Sequence, residues 1–134
     1  MTERDRMSLR ERHRLRAMDV NLNGVFHVCR SAATYLRATI AQGLATECTI
    51  VNVVSIDAIG DDRGMAAYNA AKAGALNFSR SLAIELAGEG IRINTVSPGA
   101  INTPMAAAMK ANPAFHDAIP IGRHPNSLRT FDAT

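Results

Sequence analysis

The chain has 134 residues, enough for one domain, and its 47% apolar content is that of a folded globular protein rather than a disordered one. No apolar run approaches the ~20 residues of a membrane span, and the charged residues 1–16 lack the apolar core of a signal peptide, so a cytoplasmic protein is expected. The net charge of +3 belongs to one end: Arg4, Arg6, Arg10, Arg12, Arg14 and Arg16 face only Glu3, Asp5 and Glu11, and basic and acidic residues cancel over the remainder.

That end has two readings, a nucleic-acid arm or an exposed, salt-bridge-laced helix start. The second is the expectation, and nucleic acid is not an expected partner. Residues 1–8 read as a charged N-terminal extension. A helix is predicted from about residue 9, where Ser8-Leu9-Arg10-Glu11 has capping-box form. Leu15, Met18, Leu22, Val25, Val28 and Cys29 recur at three and four, and the pattern runs to about Gly43. Asn21, Asn23 and Gly24 weaken its middle.

Thr49 to Val54 is a short β-branched run, read as a buried strand with Ser55 at its carboxyl end. A polar loop around Gly60 follows. A second helix is predicted from about Ala66 to Ala87, with Ala71, Ala75, Phe78, Leu82 and Leu86 on one stripe. Gly88 and Gly90 close it, Ile91 to Val96 reads as a second strand, and Pro98-Gly99 turns the chain. Beyond Thr103 come a small helix from Met105 to Lys110 and a tail broken by Pro113, Pro120 and Pro125, so 104–134 reads as lid and irregular tail. Cys29 and Cys48 lack C-x-x-C spacing and are expected as reduced, packed thiols. His13, His27, His116 and His124 have no ligand spacing, and no metal site is expected.

Helices alternating with strands imply an α/β fold with parallel strands joined by a crossover helix. Ligands in such sheets sit beyond the carboxyl ends of the strands. Ser55 and Pro98-Gly99 fall there, and the start of the second helix, with Tyr68 and Lys72, faces the same rim. Tyr68 and Lys72 are four apart and so share a helix face. A tyrosine ordinarily holds its proton to pKa ~10, and acid–base work near neutrality asks for ~4 kcal/mol of preference for the phenolate. An ammonium ~4 Å away, in an effective dielectric of ~20, supplies about that much.

Four segments in order, D-V-N-L-N-G-V-F (19–26), I-V-N-V-V-S (50–55), Y-N-A-A-K (68–72) and I-R-I-N-T-V-S-P-G-A-I-N-T-P (91–104), give the chain a resemblance to the short-chain dehydrogenase/reductase family. The resemblance covers roughly residues 8 to 123. It implies a single incomplete domain, a partial Rossmann-like doubly wound parallel sheet running from the family's fourth helix to about its sixth strand and lid. By the same resemblance the catalytic set is Asn21, Ser55, Tyr68 and Lys72. Tyr68 would exchange the proton of the substrate oxygen, Ser55 would hold and polarise that oxygen, and Lys72 would act on the phenol and hold the nicotinamide ribose. Asn21 would hold the helix kink open and anchor a water. Tyr68, Lys72, Pro98, Gly99, Ile101 and Thr103 would contact the cofactor, NAD or NADP, and the substrate would be a small alcohol or ketone.

The family's glycine-rich T-G-x-x-x-G-x-G turn and its N-N-A-G segment are not among these residues. The expectation is therefore an oxidoreductase truncated at both ends and weak or inactive as this chain alone. The alternative is a non-catalytic fragment that associates with a full-length homologue, since helices at about 9–42 and 66–87 commonly pack across a subunit interface in the family. A homo-oligomer is consistent with the same feature.

Overall fold

A computed structural model of the chain describes residues 3–60 and 65–99, with side chains described from residue 11 onward. Helix α1 spans Glu3–Met18, beginning earlier than the capping-box reading at Ser8 predicts. The segment has no Gly or Pro and is rich in Glu, Arg, Met and Leu, all good helix formers, so nothing halts the helix short of residue 9. Glu11 pairs forward with Arg14, whose Nε donates to Glu11 Oε2 at 2.8 Å. This is the i,i+3 pairing expected of a salt-bridge-laced helix face.

The helix then passes through one π-turn, Asp19–Asn23, and continues as α2, Gly24–Ala41. Gly24 N–H donates to the carbonyl of Asp19, a step of five residues in place of four. The weak middle predicted at Asn21, Asn23 and Gly24 is thus a π-turn within an unbroken helix. The extra residue rotates the face that follows. Cys29 and Ala33 are buried, with Leu36 and Ile40 packed behind them, whereas Val28, expected on the apolar stripe, is 68% exposed. Leu15, before the turn, also points to solvent.

Strands β1, Cys48–Val53, and β2, Ile91–Val96, are parallel neighbours, in register from Cys48 opposite Ile91 to Val53 opposite Val96. Val54 N–H adds one more rung to Val96 O at 2.8 Å. Helix α3, Ala66–Leu86, makes the crossover between them. A left-handed turn returns the chain to β2 at Gly90, where φ is 73° and an added Cβ would stand 3.3 Å from the Thr46 carbonyl oxygen. Only glycine meets both demands without strain.

Helices α2 and α3 cover the same face of the sheet. Ala33 of α2, Leu86 of α3 and Ile91 of β2 form one buried cluster, flanked by Cys48, Ile50 and Ile93. Beside it, Asn52 on β1 joins all three layers. Its side-chain amide exchanges hydrogen bonds with Cys29 Sγ on α2 at 3.3–3.4 Å and donates to Ser79 Oγ on α3 at 2.8 Å. Ser79 passes its own proton to Ala75 O at 2.7 Å. Both cysteines are free thiols, Cys29 being buried. At the far end Arg37 on α2 forms a two-pronged ion pair with Glu89, with Nη2 to Oε1 at 2.7 Å. Hydrogen bonding to Arg37 holds the Glu89 carboxyl below the usual carboxylate range.

The strand expected to be buried is buried on one side only. Burial alternates along β1, and Val51, Val53 and Val96 all stand at least half exposed on the uncovered face. The described residues supply one helical layer of a doubly wound sheet, which is why the opposite face shows. Contacts divide the chain into Met1–Ser97 and Pro98–Thr134. The helix expected from Met105 to Lys110, and the lid and tail at 104–134, lie outside the described residues. No helix among the described residues is long and apolar enough to cross a membrane.

Candidate active site

The carboxyl end of β1 and the first turns of α3 meet over a second apolar cluster. Val54, just past the strand, is buried with Ala75 and Leu76 of α3, and Leu22, Val25 and Ala58 pack against them. This cluster ties together the strand end, the π-turn, α3 and the turn after Ser55. The elements that carry Asn21, Ser55, Tyr68 and Lys72 therefore share one foundation.

Close approach of the π-turn to α3 depends on Gly74. A Cβ there would lie 3.2 Å from both δ-carbons of Leu22. Within the π-turn, Asn21 Nδ2 donates to the carbonyl of Ala17 at 3.1 Å, and Asn23 Nδ2 donates to Asp19 Oδ1 at 2.9 Å. The two asparagines thus supply local bonds where the helical ladder changes step. Asn21 is partly buried.

On α3, Tyr68 and Lys72 stand together, as their spacing predicts. Lys72 Nζ lies 5.7 Å from the centroid of the Tyr68 ring, within cation–π range. The same Nζ donates to the carbonyl of Val53, the last residue of β1, at 3.2 Å. This bond fastens the start of α3 to the strand end two residues before Ser55. Burial pushes the Lys72 ammonium below the ordinary lysine value. An ammonium with fewer waters around it exerts a stronger field on its neighbours.

Ser55 is 7% exposed and has extended backbone, φ −161° and ψ 157°. It caps a short 3-10 turn, Ile56–Ala58, that packs against α3. Its Oγ accepts from Asp57 N–H at 3.2 Å and lies 3.1 Å from Asp57 Oδ2. Asp57 is the residue that reading the sequence for chemistry passed over as loop. A signal was present, since an Asp two residues after a Ser is a common local side-chain–backbone turn. Of the expected cofactor contacts, Pro98 and Gly99 begin the second unit of the chain, and Ile101 and Thr103 lie outside the described residues.

A family model described as enoyl-(acyl carrier protein) reductase matches residues 2–127. A solved short chain dehydrogenase from Burkholderia cenocepacia, in complex with NADP, is similar at 32% identity and a TM-score of 0.60, covering 68% of this chain and 35% of that one. The chain belongs to the short-chain dehydrogenase/reductase family. A 3-oxoacyl-[acyl-carrier-protein] reductase of Rattus norvegicus is 41% identical over 119 residues, which is 89% of this chain and 47% of the relative. A solved 3-ketoacyl-(acyl-carrier-protein) reductase from Brucella melitensis, complexed with NADH, has 35% identity and a TM-score of 0.64 over 78% of this chain and 41% of its own. The short-chain dehydrogenase/reductase chain described here spans about half the length of the curated relatives it matches. Its parallel pair and crossover helix are a portion of the Rossmann-like fold of these neighbours.

Proposed function

We propose that this chain carries the acid–base half of an NAD(P)-dependent oxidoreductase site acting on an alcohol or carbonyl group. The observation that carries the reading is the Lys72 ammonium, set over the Tyr68 ring and bonded to the end of β1. The serine of the same site is buried at that strand end. Tyr68 is the proton donor or acceptor for the substrate oxygen. Lys72 holds positive charge beside it, 5.7 Å from the centroid of its ring. Asn21 belongs to the same set through the π-turn that packs on α3.

The donor set fits a nicotinamide cofactor. An ammonium has three donors, one of which goes to Val53 O, leaving two for a ribose diol. Bound NAD or NADP would supply the hydride acceptor or donor, and relatives solved with NADP and with NADH support this class. Pro98, Gly99, Ile101 and Thr103 are the further contacts proposed for it.

The test is oxidation of NADH or NADPH by the purified chain with a small ketone, followed at 340 nm. Tyr68→Phe should lower the rate by about 10²–10⁴-fold with an unchanged circular dichroism spectrum. Turnover by this chain alone is expected to be weak or absent, so the reading is overturned by a rate that survives Tyr68→Phe or, where no rate is measurable, by the absence of any chemical-shift change at Tyr68 and Lys72 when the ketone is added. A second reading, association with a full-length homologue, is favoured by the exposed valine face of the sheet. Co-elution with such a homologue on size exclusion tests it, and separate elution counts against it.

A further inference from the structure

Among the described residues, both polar neighbours of the Ser55 hydroxyl belong to a single residue. Asp57 N–H donates to Oγ at 3.2 Å, and Oγ stands 3.1 Å from Asp57 Oδ2. A carboxylate has no proton to give, so the hydroxyl's one proton is directed at Asp57. The N–H occupies one of the two lone pairs. What the hydroxyl can still offer an incoming group is one lone pair. In this arrangement Ser55 can accept a hydrogen bond from an alcohol, but it has no proton free to polarise a carbonyl. The local backbone maintains the pairing. Ala58 N–H closes the turn on Ser55 O at 3.0 Å.

Resting on the alcohol/carbonyl reading above, we propose that Asp57 is a positioning residue that latches Ser55 as a hydrogen-bond acceptor. The latched form matches a bound alcohol, and the latch must open before Ser55 can donate to a ketone. At 3.1 Å the O–H···O contact is longer than the usual ~2.7–2.8 Å. The latch is therefore a bias that a ligand can overcome, worth about five- to tenfold in relative affinity.

The test measures binding, because the equilibrium between ketone and alcohol fixes the ratio of the two catalytic efficiencies whatever the enzyme does. Cyclohexanone and cyclohexanol are titrated, with chemical-shift detection, into the wild-type chain, Asp57→Asn and Asp57→Ala, each also combined with Ser55→Ala. Asp57→Ala should favour cyclohexanone over cyclohexanol by about five- to tenfold relative to wild type. Asp57→Asn, which keeps a neutral acceptor oxygen, should fall between, and in the Ser55→Ala background the Asp57 substitutions should leave the ratio unmoved. Equal shifts for both probes, or the same change of ratio without the Ser55 hydroxyl, would overturn the latch. If neither probe binds any variant, the alcohol/carbonyl reading fails on its own account, and amide hydrogen exchange decides the latch. Ser55→Ala should then speed exchange at the Asp57 amide at least about tenfold while α3 amides keep their rates. An unchanged Asp57 amide would refute it.

Discussion

Burial at the end of β1 holds Lys72 below the ordinary lysine pKa, so the folded chain binds that proton less tightly than the unfolded chain does. The sign of the consequence follows from linkage. Where the unfolded state binds more protons, stability rises with pH. This chain should gain stability as pH climbs from the depressed Lys72 value toward the ordinary lysine value of ~10.4. Urea denaturation across that window checks it: the gain in midpoint should be present in the wild type and diminished in Lys72→Met. Equal slopes for the two proteins would assign the pH dependence elsewhere. The substitution also removes the bond to Val53 O, a loss of about 1 kcal/mol that is already present below the window, where the ammonium is charged. The Lys72 ammonium is thus held partly desolvated at the proposed site.

At the scale of elements, the contact between the π-turn and α3 decides whether Asn21 shares a site with Tyr68 and Lys72. Leu22 fits over Gly74 with no room for a branched side chain. Gly74→Val should cost about 1–3 kcal/mol through overpacking. Leu22→Ala should recover part of that loss, so the double-mutant cycle should show coupling of at least about 0.5 kcal/mol. Additive losses would mean that the two side chains do not meet. Most of the element order was legible in the sequence. The strand at 48–53 differs by one residue from its prediction, the strand at 91–96 matches, and the crossover helix ends one residue early. Periodicity and β-branching carried those readings because they reflect burial, which repeats along the chain. The π-turn was legible only as weakness at Asn21, Asn23 and Gly24, since a change of hydrogen-bond step leaves no periodic mark. The phase error at Val28 follows from the same turn. The Tyr68–Lys72 pair was legible because helix geometry fixes it. The Ser55–Asp57 pair was missed because it is a local competition between side chain and backbone, for which burial patterns carry no information.

At the scale of the molecule, the sheet face that the described helices leave uncovered carries exposed valines. Val53 and Val96 are ladder partners, both at least half exposed, with Val51 alongside. Contiguous apolar surface of this kind promotes association. Light scattering should show self-association that Val53→Lys moves to roughly tenfold higher concentration, about the effect of removing one buried valine contact. An unaltered concentration dependence would place the association elsewhere. The opposite face behaves differently because of Asn52. One carboxamide holds a thiol on α2 and a hydroxyl on α3 from its place on β1, and letting go of either loses a hydrogen bond between layers. The helix that follows Asn21, the strand that ends at Ser55 and the helix that bears Tyr68 and Lys72 should therefore open as one cooperative unit, seen as a shared opening free energy in native-state hydrogen exchange, so that the proposed site is lost all at once rather than loosened piece by piece.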